Sequence, residues 1–215
     1  MNVAREEIWK SLFGRAMSII DGAVAAGMPA DDWSFGGGTV LMLKHHHRFS
    51  KDIDIFVPEP QYLGFLTPRL NDAAETGMAD YVEQNGSIKI YYPEGEVDFV
   101  AAPPLTDNPF SLRDVLGRHI KVETPVEIVS KKIQYRAVDF KARDIFDLAL
   151  VLEREPEARP ALQKLMVLKR TVLEQRFTRH DAELREDFTL LDILQYTPSY
   201  DHCMEIIQAY LQGSR

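Results

Sequence analysis

The sequence predicts an α+β fold: an N-terminal lobe, residues 1–122, built from a mixed sheet with helices, and an all-helical C-terminal lobe, residues 123–215. In the first lobe, short apolar runs bounded by glycine and proline alternate with segments of helical period. Beyond residue 123 the apolar patterns have the period of a helix. Nothing between the lobes has the composition of a flexible linker, so we expect them to fold as one unit.

The composition is that of a globular protein, with 45% hydrophobic and 27% charged residues among 215. A single cysteine, Cys203, excludes an intramolecular disulfide and a cysteine metal site, which favours the cytoplasm. Neither a secretory signal nor a run of roughly 20 apolar residues is visible, so we expect no membrane partner. The net charge of −8 argues against a general nucleic-acid-coating protein, although a local basic patch could still bind RNA.

Helices and strands alternate in the first lobe. Apolar residues at helical spacing predict a helix over 3–28, and Trp33 to Phe35 forms a short strand leading into three glycines. Thr39 then begins a second helix with a basic C-terminal end, and Lys51 to Val57 forms the second strand. Thr67-Pro68 is a helix start, with Gly77 as its end.

Two further strands and a series of helices complete the prediction. The strands Ser87–Tyr92 and Glu96–Ala101 are separated by a turn at Pro93-Glu94-Gly95. Thr124-Pro125-Val126-Glu127 has the pattern of a capping box with proline at the first helical position. The later helices are predicted over 141–154, 161–176, 182–195 and 200–212.

Three acidic residues lie in the predicted strands. Asp52 and Asp54 are two apart, so they share one face of a strand with Cα atoms roughly 6.6 Å apart. At an effective dielectric constant near 20, two such carboxylates repel each other by about 3 kcal/mol. A fold tolerates this repulsion if the pair faces water or holds a cation. The third acid, Asp98, lies in the last predicted strand of the lobe.

A glycine turn, a helix and a strand with two acids on one face form an arrangement that nucleotidyl transfer requires. The glycines let the backbone approach a triphosphate, and the helix N-terminus stabilises anions. Asp52 and Asp54 can bracket two divalent ions, and Asp98 on a neighbouring strand would complete the oxygen ligands that Mg²⁺ prefers. Alone, the glycines are explained by a structural turn and the acids by a solvated face; together and in this order they favour catalysis.

The stretch FGGGTVLMLKHHHRFSKDIDIF resembles the first motif of the AbiEii/AbiGii-type nucleotidyltransferases, the toxins of type IV toxin–antitoxin systems. The matching positions are Gly37, Gly38, Thr39, Arg48, Ser50, Asp52 and Asp54. A second stretch, EIVSKKIQYRAVDFKARDIFDLA, resembles the later Lys…Arg-Asp-x-x-Asp-Leu motif of the family. It places the family lysine at Lys132, with Lys131 as its competitor, followed by Arg143, Asp144 and Asp147.

The resemblance implies a DNA polymerase β-like nucleotidyltransferase fold and transfer of an NMP from an NTP to a hydroxyl group of RNA (such as a tRNA), a protein or a small molecule. It implies that Asp52 and Asp54 hold two Mg²⁺ ions and that residues 37–39, with Arg48 and Ser50, bind the triphosphate. Lys132 would neutralise phosphate charge, and Asp144 would belong to the half of the site that the helical lobe supplies.

The same resemblance implies a cognate antitoxin as a functional partner that need not bind the toxin directly. Two other functions stay open at this point. One is a nucleotidyltransferase that is not a toxin and acts on a small molecule; the other is a binding module that holds a nucleotide without transferring it.

Several of these residues also have purely structural explanations. Arg143 and Asp147 are spaced for an ion pair on a helix surface, and Asp144 in the first turn favours the helix dipole. Three adjacent histidines, 45–47, point about 100° apart on a helix and cannot converge on one ion, so a solvated helix end is expected. The basic stretch 164–180 is either an RNA-facing patch or the solvated side of an amphipathic helix.

Overall fold

A computed structural model describes residues 7–213 and confirms the predicted α+β class, with a seven-stranded mixed sheet and helices followed by helices alone. The helices are α1 (Ile8–Ala25), α2 (Gly37–His45), α3 (Leu63–Leu66), α4 (Asp72–Glu75), α5 (Pro125–Arg136), α6 (Ala142–Arg154), α7 (Arg159–Leu168), α8 (Arg170–Arg179), α9 (Asp181–Thr189) and α10 (Tyr200–Leu211). The strands are β1 (Ser34–Gly36), β2 (Ile53–Val57), β3 (Asp80–Gln84), β4 (Ser87–Tyr92), β5 (Gly95–Ala101), β6 (Phe110–Val115) and β7 (Arg118–Glu123). Short 3-10 turns lie at Pro60–Tyr62, Ala137–Asp139 and Pro156–Ala158.

Two compact units make up the described chain. The sheet unit consists of residues 7–40, Ser50–Pro104 and Phe110–Glu123. The helical unit consists of Leu41–Phe49, Leu105–Pro109 and residues 124–213. The boundary between residues 122 and 123 stays a prediction, because compactness does not measure which segments fold independently.

The sheet has the strand order β3-β4-β5-β2-β1-β7-β6. The pairs β2–β5 and β1–β7 are parallel, and the other neighbours are antiparallel. Successive side chains point to opposite faces of a strand. In β2 and β5 the residues of one face, Ile53, Ile55, Val97 and Phe99, are fully buried, and α1 packs against both strands. Asp54 and Asp98 therefore lie on the opposite, partly exposed face.

Several predicted elements agree closely with the structure. Strand β4 has the predicted bounds, and β5 begins one residue earlier than predicted. Helix α5 begins at Pro125, where the Thr124 hydroxyl accepts a hydrogen bond from the N–H of Glu127. The strand predicted over 51–57 begins only at Ile53, so that Asp52 immediately precedes β2. Residues 3–6 of the first predicted helix lie outside the described residues.

Other predictions were wrong. Only α4, Asp72–Glu75, forms within the helix predicted from Thr67 to Gly77, because Thr67 precedes a proline and has an extended backbone with ψ of 139° that ends α3. Strands β3, β6 and β7 were missed, since most of their residues are polar or exposed and none has more than two apolar residues at alternating positions. The region predicted as helices 161–176 and 182–195 contains α7, α8 and α9 instead.

Candidate active site

One row of paired residues crosses the sheet and carries three of the acidic side chains of the sheet unit. Lys89 on β4 pairs with Asp98 on β5, Asp98 pairs with Asp54 on β2, and Asp54 pairs with Gly36 on β1. Phe35 on β1 pairs with Val122 on β7, and the two strands are parallel. One residue further along each strand, Gly36 therefore lies beside Glu123. Residues paired across neighbouring strands point to the same face. The row thus sets three carboxylates and an ammonium group on the face opposite α1.

The glycine turn is required by these carboxylates. A Cβ atom on Gly36 would lie 2.3 Å from Glu123 Oε2, and one on Gly37 would lie 1.9 Å from Asp54 Oδ2. Gly37 also has φ of 74°, a conformation that favours glycine. The Glu123 carboxylate is buried and accepts a hydrogen bond of 3.0 Å from the Ser34 hydroxyl. Two adjacent glycines therefore make room for two carboxylates from different strands.

The N-terminus of α2 is joined to the segment that precedes β2. The Thr39 hydroxyl donates to the carbonyl oxygen of Asp52 at 2.6 Å and lies 3.2 Å from the Ser50 hydroxyl. Asp52 Oδ1 accepts a hydrogen bond of 3.1 Å from the N–H of Glu96. The first turn of a helix has backbone N–H groups without intrahelical partners, which attract anions. The structure thus brings the predicted residues Gly37, Gly38, Thr39, Ser50, Asp52, Asp54 and Asp98 into one unit.

Asp98 is engaged by a lysine. Lys89 Nζ lies 3.0 Å from Asp98 Oδ2 and 2.5 Å from Glu96 Oε2. Burial raises the pKa of Asp98 and outweighs the opposing effect of Lys89, while Glu96 and Asp52 add repulsion. Burial alone would lower the pKa of Lys89, but its bonds with Glu96 and Asp98 raise it. The lysine is therefore held in its charged form beside the acids.

The donor set of the row suits Mg²⁺, which prefers carboxylate oxygens. As the side chains stand in the described residues, no three His, Cys, Asp or Glu groups converge in an arrangement that could hold a metal ion. Asp54 nevertheless pairs directly with Asp98 across β2 and β5, Asp52 lies two residues before Asp54, and the Asp52 charge acts on Asp98. The residues present fit Mg²⁺ in their chemistry.

The remaining predicted site residues lie in the helical unit and form a buried ionic cluster. Lys132 Nζ lies 2.6 Å from Asp144 Oδ1 and 3.0 Å from Asp147 Oδ2. Arg48 donates to both oxygens of Asp147 at 2.7 Å, and His47 Nε2 lies 2.8 Å from Asp147 Oδ1. Asp144 and Asp147 are fully buried. The two sequence motifs are thus joined within this unit by Arg48, Lys132 and Asp147.

Charge pairing holds the two carboxylates of the cluster ionised. Burial alone would raise the pKa of Asp147, but Arg48, Lys132 and His47 hold it well below its usual value. Burial likewise opposes ionisation of Asp144, and Lys132 with Arg136 overcomes it, so that the pKa is lowered. Burial also lowers the pKa of His47, more than Asp147 raises it. Buried charges without such partners would be strongly unfavourable.

This cluster corrects two structural explanations drawn from the sequence. His46 is exposed but His47 is fully buried, so the run is not simply a solvated helix end. Helix α2 ends at His45, and His46 has a positive φ of 50° that turns the chain inward. Asp147 pairs with Arg48 and Lys132, and is not part of a surface pair with Arg143.

The capping box predicted at residues 124–127 forms only in part. The Glu127 carboxylate is fully buried and accepts hydrogen bonds from the N–H groups of Leu105 and Thr106. It therefore anchors the segment Leu105–Pro109, which belongs to the helical unit. Glu127 also lies 3.6 Å from Lys131 Nζ.

Three charged residues near the acids, Glu123 and Lys89 of the row and Glu96 beside it, were not singled out from the sequence. Lys89 and Glu96 lie in predicted strands, and Glu123 lies in β7, which was missed. The strand pairing that places them beside the acids is long-range, so no local pattern indicates it. For Glu123 the triple glycine was a usable signal, because adjacent glycines often mark a close approach of another group.

Comparisons with known proteins agree with this architecture. The family model described as nucleotidyl transferase AbiEii toxin, type IV toxin–antitoxin system, matches residues 23–205. No curated protein sequence matches the chain significantly. The crystal structure of JHP933 from Helicobacter pylori is similar with a TM-score of 0.50 and 15% identity, over 95% of this chain and 92% of that one. A second H. pylori structure, provisionally assigned as a nucleotidyltransferase, gives the same TM-score and identity over 94% and 95%.

At 15% identity the similarity to these two structures shows the fold alone. The assignment to a family depends on the match to the family model. None of the helices within residues 7–213 combines the length and apolar character needed to cross a membrane. The match covers more than four-fifths of the chain and includes both motifs, the glycine turn with its acids and the later lysine with Asp144 and Asp147. The chain belongs to the AbiEii family of nucleotidyltransferases.

Proposed function

We propose that the protein is a Mg²⁺-dependent nucleotidyltransferase that moves an NMP from an NTP to a hydroxyl group of an RNA (such as a tRNA end) or of a protein, as a type IV toxin. The observation that carries this proposal is the row that sets Asp54 beside Asp98 and next to the glycine turn. A cognate antitoxin is the functional partner implied by the family, and direct binding between the two is not required.

The predicted site residues of the sheet unit have two roles in this proposal, metal binding and triphosphate binding. Asp52, Asp54 and Asp98 hold the metal ions, and the backbone N–H groups of Gly37 and Gly38 bind triphosphate oxygens. Bound Mg²⁺ would neutralise the triphosphate and make the attacking hydroxyl more acidic. The acceptor oxygen forms a bond to the α-phosphorus, the bond to the bridging oxygen breaks, pyrophosphate leaves, and the hydroxyl proton passes to solvent.

Other residues support the site through their neighbours. Thr39 and Ser50 hold the glycine turn against the segment before β2 through their hydroxyl groups. The family resemblance gives Lys132, in the helical unit, the role of neutralising phosphate charge, with Lys131 as the competing lysine. We propose that Asp144 positions Lys132 through their contact of 2.6 Å, and that Asp147 positions Arg48.

Label transfer tests this proposal. The purified chain is incubated with each of the four α-labelled NTPs, Mg²⁺ and total RNA. We expect labelled RNA from the wild type and a loss of about 100-fold or more in Asp52→Ala and Asp54→Ala. Asp114→Ala is the matched control, because Asp114 lies in the same sheet with 81% of its side chain exposed.

The alternatives predict different results. NTP binding without transfer to RNA, protein or small molecules would identify a binding module, and equal transfer by Asp54→Ala would exclude the acids as metal ligands. Transfer to a small molecule alone would identify a transferase that is not a toxin. Growth arrest on induced expression, relieved by Asp54→Ala, is the result expected of the toxin.

A further inference from the structure

Lys89 occupies a position beside the proposed metal ligands that neither sequence motif includes. It faces Asp98 directly across β4 and β5, and Asp98 faces Asp54 across β5 and β2. The Lys89 ammonium group contacts Asp98 Oδ2 at 3.0 Å and Glu96 Oε2 at 2.5 Å. It therefore bonds two carboxylates at once, and only Asp98 belongs to the proposed metal site.

The surroundings make this contact relevant to cation binding. The side chains of Lys89 and Glu96 are about one-third exposed, and that of Asp98 is 21% exposed. In a partly buried site, charges interact more strongly than in water. A divalent ion that takes an oxygen of Asp98 is repelled by the ammonium group and competes with it for the same carboxylate.

Glu96 gives the lysine a second partner. Glu96 and Asp98 are two residues apart on β5 and point to the same face. If Lys89 leaves Asp98, it can keep its contact with Glu96 and remain paired. The geometry therefore allows a second arrangement in which Lys89 keeps Glu96 alone, and a bound cation would favour that arrangement.

We propose that Lys89 is a displaceable counter-cation of the acidic row. It bonds Asp98 when no divalent ion is bound, and it retains Glu96 alone when a divalent ion takes Asp98. This inference rests on the proposed function, because it takes Asp52, Asp54 and Asp98 as metal ligands. The consequence is that the protein binds divalent ions weakly until an NTP supplies phosphate oxygens as further ligands.

Mn²⁺ binding in the absence of NTP, measured by calorimetry, tests the proposal. We expect Lys89→Met to bind Mn²⁺ about tenfold more tightly than the wild type, because both the competitor and its charge are removed. We expect the Mn²⁺ affinity of Glu96→Gln to be lower than that of the wild type by a factor of up to about three, because Lys89 then has Asp98 as its remaining partner. Lys121→Met is the matched control: it removes the same charge from the sheet, and Lys121 bonds the carbonyl oxygen of Asp31.

A static ion pair that serves only sheet stability predicts a different pattern. Lys89→Met would then melt at a lower temperature with unchanged Mn²⁺ affinity, and that result overturns the proposal. Weaker binding by Lys89→Met overturns it as well, since the lysine would then be orienting Asp98 for the metal. Lys89→Gln is measured in parallel, in case the methionine variant does not fold.

The metal site itself is tested by the same titrations. Mn²⁺ binding by the wild type that is lost in Asp54→Asn supports the site, and the Lys89 and Glu96 variants then decide the role of the lysine. Absence of Mn²⁺ binding in every protein, with and without a non-hydrolysable NTP analogue, overturns the metal site and the inference with it.

Discussion

Replacing Asp147 by Asn should strongly destabilise the helical unit. The Asp147 carboxylate is fully buried and accepts hydrogen bonds from Arg48 and His47, and Lys132 Nζ lies 3.0 Å from it. Asparagine has nearly the same shape, but it carries no charge and presents an NH₂ group to donors. Two buried cations would then lose the anion that they share.

Removing one partner of a buried ion pair costs about 3–5 kcal/mol, because an uncompensated charge is left inside the protein. For a chain of this size, 1 kcal/mol shifts the melting temperature by about 2–4 °C, so we expect a decrease of roughly 6–20 °C at pH 7. The pKa of Asp147 is lower in the folded than in the unfolded protein. Its stabilisation is therefore present above the unfolded pKa of about 4 and is lost as the pH falls through the folded pKa, where wild type and variant should converge.

Urea unfolding at pH 7, followed by far-UV circular dichroism, measures this difference. Asp139→Asn is the matched control, because the Asp139 side chain is 73% exposed and lies 3.6 Å from Lys141 Nζ. We expect the control to change the free energy of unfolding by less than about 0.5 kcal/mol. An Asp147→Asn protein within about 1 kcal/mol of the wild type would refute the shared-anion explanation.

Three further predictions follow from other parts of the chain. Gly37→Ala should lower the free energy of unfolding by about 1–3 kcal/mol and abolish transfer, because Gly37 has a φ of 74° and a Cβ atom there would clash with Asp54. Gly64→Ala is the control: its Cβ atom would meet no atom within 4 Å, so thermal melts and transfer assays should match the wild type. Burial raises the pKa of the Cys203 thiol to about 12, so a thiol reagent at pH 8 should label it only when urea unfolds the protein; native-state labelling would contradict this. Burial, with Lys44, lowers the pKa of His45 to about 4. The neutral imidazole therefore stabilises the fold above pH 6.5, and this stability is lost as the pH falls towards 4. In urea unfolding measured across this pH range, His45→Gln should show a smaller change of midpoint with pH than the wild type.

The elements that could be predicted from the sequence are those whose signals are local. Strand β4 alternates buried and partly buried residues throughout, and Thr124-Pro125 fixes the start of α5 through a short-range cap. The sharing of a face by Asp54 and Asp98 depends on the parallel register of β2 with β5, which joins residues more than 40 positions apart. The prediction named Asp98 as an acid on a neighbouring strand, and the structure places it there; its role as a metal ligand stays a prediction.

What could not be predicted is non-local. His47 and Arg48 have the polar character of a surface turn, yet both are buried because the Asp147 carboxylate bonds both and neutralises the charge of Arg48. The segment around them also pairs with a distant part of the helical unit through its backbone. The N–H of Phe49 donates to the carbonyl oxygen of Asp192, and the N–H of Leu194 donates to the carbonyl oxygen of His47. No periodicity in either stretch indicates a partner more than 140 residues away.

The glycine turn has a different explanation in the structure from the one that the sequence suggested. Glycines were expected because a triphosphate needs close backbone approach. In the structure, the Cβ positions of Gly36 and Gly37 are occupied by the carboxylate oxygens of Glu123 and Asp54. The protein therefore requires these glycines before any ligand binds. Gly37 begins α2, whose first N–H groups are proposed to bind the triphosphate, and Asp54 lies against the same residue. One steric constraint therefore fixes both the proposed triphosphate position and the proposed metal position. A substituent at Gly37 would thus disturb both at once, whereas a change at Ser50 or Arg48 acts only through the residues that they contact.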